Sequence, residues 1–70
     1  MPRYLFNIFN GRPYHDKDGE YLADDETAWR CALRTVRDIE DILRPGDRWQ
    51  LDVNREATPL FRIEIQSKKL

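Results

Sequence analysis

Apolar and polar residues alternate along the first stretch of the chain. Over Arg3 to Phe9, Tyr4, Phe6 and Ile8 share one face of an extended segment, and Leu5, Asn7 and Phe9 share the other. The same period of two returns twice near the other end. Trp49, Leu51 and Val53 alternate with Gln50 and Asp52 in a third strand predicted over Arg48 to Asn54. Phe61, Ile63 and Ile65 alternate with Arg62, Glu64 and Gln66 in a fourth over Leu60 to Gln66. Between these the spacing changes to threes and fours. Ala28, Ala32, Val36, Ile39 and Leu43, flanked by Trp29, Leu33 and Ile42, form a broad apolar stripe on a helix predicted over about 25–43. Asp24 is the predicted N-cap, Asp25 and Glu26 place negative charge where the helix dipole favours it, and Pro45-Gly46 ends the helix.

Turn chemistry supplies the connections. Asn10-Gly11 is a strong hairpin signal because both residues tolerate positive φ. The return strand begins near Arg12 and passes Tyr14 and His15, and Pro13 within it lacks a backbone donor, which assigns it to a sheet edge. Asp16-Lys17-Asp18-Gly19 is a turn, Glu20-Tyr21-Leu22 a short extended piece, Asn54 to Pro59 the last turn, and Ser67 to Leu70 a frayed tail. The elements predict an α+β, two-layer sandwich, ββαββ, with the helix packed on one face of a mainly antiparallel four-stranded sheet. If the helix runs back along the sheet, placing the third strand beside the first makes every pairing antiparallel, in the order 2-1-3-4.

Composition narrows the function more than the fold. At 70 residues there is room for one domain, 1–70, and an enzyme cleft would compete with the core for the same few side chains. A net charge of -1 gives no electrostatic footprint for nucleic acid. Cys31 is the single cysteine, so neither an internal disulfide nor a multi-cysteine zinc site is expected. No apolar stretch approaches the ~20 residues that span a bilayer, and Met1-Pro2-Arg3 leads straight into a strand rather than a signal peptide. The expectation is a cytoplasmic protein without membrane contact.

The ordered residues also resemble a known family. Met1-Pro2-Arg3-Tyr4-Leu5-Phe6, then Gly11, Asp16, Gly19, Leu22 and Asp24, then a helix bearing Ala28 and Ala32 and a pair of strands, together look like the short bacterial proteins catalogued as domain of unknown function 6894. The resemblance covers almost the whole chain. Leu5 stands where an aromatic is usual, and Trp29 and Cys31 stand where small or polar residues are typical. The resemblance implies a stand-alone ββαββ-type domain and brings no catalytic residues with it.

Candidate chemistry is sparse. Asp16, Asp18 and Gly19 imitate part of a calcium loop, but that alignment puts Tyr14 at the first ligand position and Asp25 at the last, and tyrosine does not serve there. His15 lacks a nucleophile–base–orienter set around it. Cys31 reads as a small hydrophobe, with only Arg34 of its charged neighbours on the same side of the helix. Hence no catalytic residue, metal site or cofactor is expected. Arg30, Arg34 and Arg37 make a basic ridge suited to an anion or an acidic partner, on a helix that also carries Asp38, Glu40 and Asp41. The face of the sheet away from the helix is the remaining surface. Leu5, Asn7 and Phe9 lie on it with Gln50, Arg62 and Leu60, and an apolar group on a polar sheet face suggests an interface. The sequence therefore points to a non-enzymatic interaction module that self-associates as a homodimer, through this face or through an edge strand. The alternative is a regulatory or nucleic-acid-binding module using the arginine ridge.

Overall fold

The structure, a computed structural model, describes residues 1–11 and 13–70. Arg12, where the sequence places the start of the second strand, lies outside the described residues. The elements are β1 (Arg3–Phe9), β2 (Pro13–Tyr14), β3 (Glu20–Tyr21), α1 (Asp25–Ile42), β4 (Arg48–Arg55) and β5 (Thr58–Gln66). Every pairing among the described residues is antiparallel and the order is β2-β1-β4-β5, with β3 also on β1. That is the expected 2-1-3-4 order. The short extended piece after the Asp16–Gly19 turn is a strand in its own right, pairing Tyr21 with Arg3 and Glu20 with Tyr4.

The helix begins as its cap residues dictate. Asp24 is extended (φ -160°), and its carboxylate accepts from the Thr27 amide at 2.8 Å and the Thr27 hydroxyl at 2.7 Å. Those hydrogen bonds hold the Asp24 carboxyl below the usual carboxylate range. The helix ends at Ile42, one residue earlier than predicted, with Leu43 already extended. Asp47 then closes a turn over Pro45-Gly46, its carboxylate accepting from the Arg44 amide and its own amide donating to the Arg44 carbonyl. Gly46, at φ 93°, supplies the positive φ that a Pro-Gly turn needs.

Tyr4, Ala28, Ala32, Leu51 and Val53 form the buried centre, with Ile39 also buried. The helix therefore rests on its alanines. Their small side chains fill the buried centre, and the larger Trp29 and Leu33 beside them lie at the rim. Trp29 and Leu33 stay 39% and 38% exposed, and Ile42 is exposed too, so the covering stripe is narrower than predicted. The Tyr4 hydroxyl donates to Asp25 at 2.6 Å, and Arg55 donates to both oxygens of the same carboxylate. This network ties the start of α1 to β1 and to the end of β4. Burial, followed by the Asp25 hydrogen bond, raises the Tyr4 phenol above its ordinary value.

Three expectations need correction. The last turn is two residues, Glu56-Ala57, rather than Asn54 to Pro59, and β5 starts at Thr58. Glu56 is in the left-handed region (φ 52°) without being glycine or asparagine, and β1 holds it there: its amide donates to the Arg3 carbonyl and its carboxylate accepts from the Arg3 amide. Second, a bulge between Val53 and Asn54 opposes Val53 to Phe61 and Asn54 to Pro59, leaving Leu60 as the extra residue. Leu60 thereby packs against the core with Phe61 instead of lying on the outer face. Third, the tail is anchored at Ser67, whose amide donates to the Asp47 carbonyl and whose hydroxyl donates to the Arg44 carbonyl.

Candidate functional site

The predicted outer-face residues are brought onto one surface, with Leu60 the exception, but they do not make an apolar patch. The strand register stacks them in two rows across the sheet. Asn7 faces Asp52, which faces Arg62; Phe9 faces Gln50, which faces Glu64. In the first row Arg62 donates to both Asp52 oxygens, at 2.8 and 3.2 Å, and Gln50 donates to the same carboxylate from along the strand. The Arg62 hydrogen bonds hold the Asp52 carboxyl below its usual range. Leu5 is half-buried because the Asp16–Gly19 turn folds over it: a Cβ on Gly19 would sit 2.9 Å from a Leu5 methyl. Of the predicted apolar group only Phe9 remains open, 50% exposed.

That turn also explains Asp16. One carboxylate oxygen accepts from the Phe6 amide at 3.2 Å and the other from Gly19 at 3.0 Å, while the Asp16 amide donates to the Asn7 side chain at 2.9 Å. Phe6 sits between the part of β1 paired with β2 and the part paired with β3, so Asp16 completes the ladder where no strand runs. The calcium-like spelling is a device for closing a sheet edge. His15 and Asp18 stay exposed.

On the helix, Arg30, Arg34 and Arg37 line one shallow depression of about 240 Å³ with Leu33. Arg30 is bound to Glu26 at 2.9 Å. Cys31 is half-buried at the β1 side of α1.

The feature that sequence reasoning underweights is the outer edge of β5. It is the last strand of the sheet, nine residues long. Over it lies Trp29, edge-to-face on Phe61 with ring centroids 5.2 Å apart, and still partly exposed. The signal for it is a regular alternation lacking proline or lysine from Leu60 to Gln66.

A family model described as Domain of unknown function (DUF6894) matches residues 3–66, and the chain belongs to that family. No curated protein and no solved structure matches it. No helix among the described residues is long and apolar enough to cross a membrane.

Proposed function

We propose that this family member is a non-enzymatic interaction module that works as a homodimer, with the open edge of β5 and the exposed rim at Trp29 in its contact surface. The observation that carries the reading is the difference between the two sides of the sheet. One is closed by β2, Asp16 and β3, and the other is a long strand with no further strand of the described residues beyond it, beside a half-exposed tryptophan. An edge of this kind is a template for another strand. A small domain also gains from association the burial that its own core lacks. Sedimentation equilibrium from low to high micromolar concentration tests the reading. A dimer mass that dissociates on dilution is expected, and a monomer throughout the range overturns it.

The second reading, a regulatory or nucleic-acid-binding module, draws on Arg30, Arg34 and Arg37 sharing one depression. It requires salt-sensitive DNA or RNA binding that weakens in Arg34→Ala and Arg37→Ala. Binding unchanged in both variants, or absent, removes it.

A further inference from the structure

Resting on the self-association reading, we propose that β5 pairs antiparallel with β5 of a second copy of this chain about a two-fold axis at Ile63, in a register selected by Arg62 and Glu64. The partner is thus an identical strand, and the interface is isologous.

Two observations together place the axis at Ile63. The first is the extent of usable edge. Pro59 has no donor and Leu60 is the extra residue of the bulge, so regular pairing starts at Phe61. β5 ends at Gln66, where Ser67 turns away to bond Asp47 and Arg44. The regular stretch from Phe61 to Gln66 that remains has Ile63 and Glu64 at its middle.

The second observation is charge. With the axis at Ile63, Arg62 faces Glu64 of the second copy, and Glu64 faces its Arg62. Moving the register one step of two residues in either direction sets Arg62 against Arg62 or Glu64 against Glu64, and like charges directly opposite are unfavourable. A shift of a single residue turns one copy's apolar face outward. Only the Ile63-centred pairing joins the rows already built within each subunit. Asn7, Asp52 and Arg62 then continue into Glu64, Gln50 and Phe9 of the second copy, with alternating charge at the seam.

The inner face agrees. Ile63 meets Ile63 of the second copy, and Phe61 meets its Ile65, so the apolar layer runs unbroken through the seam. Trp29, packed on Phe61, lies above the seam from each side. Its exposure in the single chain is that of a residue at the margin of a larger core.

Charge reversal tests the register. Glu64→Arg leaves two arginines opposite each other at both symmetric positions, and Arg62→Glu leaves two glutamates. Each variant alone is expected to weaken dimerisation at least about tenfold. Mixed in equal amounts, they form a heterodimer in which the two arginines of one copy face the two glutamates of the other, and native mass spectrometry reads that species directly. Circular dichroism confirms that each variant is folded, since Arg62→Glu also gives up the Asp52 pair. A comparison that leaves the Arg62–Asp52 pair intact is Glu64→Gln, which removes attraction without adding repulsion and should weaken the dimer less than Glu64→Arg. If the wild type dimerises and Glu64→Arg and Glu64→Gln dimerise equally well, or if the mixture restores nothing, the register is wrong while self-association stands. If the wild type is a monomer, both readings fall together.

Discussion

Along the free side of β1, two strands of two residues each and the Asp16 carboxylate between them cover the backbone of a seven-residue strand. Along the free side of β5, a longer strand has no other strand of the described chain across from it. The first side uses the means by which monomeric sheets avoid unwanted pairing: very short outer strands and a side chain that occupies a donor. The second keeps Pro59 at one end and places Lys68 and Lys69 beyond the other, leaving the middle free. In so small a sheet, this asymmetry separates an edge that the fold closes from an edge that no strand of the described residues covers.

Substitutions on the two sides should therefore differ in kind. The scale is set by the shared centre. Leu51→Ala empties a fully buried site and is expected to cost about 3 kcal/mol. That is a large share of the total stability of a domain this size, of order 5 kcal/mol. Urea denaturation should show a greatly reduced midpoint, and a midpoint within error of wild type would mean that the core is misassigned.

On the closed edge, Gly19→Ala should cost about 2 kcal/mol, because φ is +69° and the new Cβ would meet the Tyr4 carbonyl oxygen at 2.7 Å. Asp16→Ala should cost about 1–3 kcal/mol by leaving the Phe6 amide without its acceptor. Asp16→Asn should lie between that variant and wild type, since one oxygen cannot replace two. Neither Asp16 variant should change the dimerisation constant once folding is accounted for. A loss of dimer without loss of stability would show that the closed edge is part of the interface. On the open edge, Glu64→Arg should do the reverse, changing the mass measured in solution while leaving the monomer's urea midpoint nearly unchanged.

Much of this is legible in the alternation. Period alone places Tyr4, Phe6, Leu51, Val53, Phe61 and Ile63 on the inner face, and residue type alone marks Asp24 as a cap. The closed edge is not legible, because it depends on a tertiary hydrogen bond from Phe6 to Asp16, and residue spelling alone resembles part of a calcium loop. Leu60 falls on the wrong face because strict alternation has no room for a bulge. The two-residue turn escapes notice because Glu56 carries no turn signal of its own and relies on Arg3 of another strand. The narrow helix contact follows from Ala28 and Ala32, which fill the buried centre and leave Trp29 and Leu33 at the rim.

The pH response gives the smallest expected effect. Asp52 and Asp24 are held below the usual carboxylate range, so their contribution is present above about pH 4, the unfolded carboxylate value, and is lost as pH falls through their lower folded values. Tyr4 is shifted the other way: its contribution is complete below about pH 10 and is lost as pH rises through its higher folded value. Between these limits the three groups add no pH dependence to thermal melts. Asp52→Asn should lower Tm by no more than about 4 °C at neutral pH, since the Arg62 pair is largely exposed, and should soften the acid limb. An unchanged acid limb would mean that the Asp52–Arg62 pair contributes nothing in solution.

Amide hydrogen exchange, read residue by residue at two protein concentrations, tests the contrast between the edges most directly. In dilute solution the Phe6 amide should be protected, while alternate amides between Leu60 and Gln66 exchange fast. At high concentration those β5 amides should become protected and Phe6 should not change. Protection of the β5 edge that is as strong in dilute solution as that of Phe6, or that does not respond to concentration, would contradict the account.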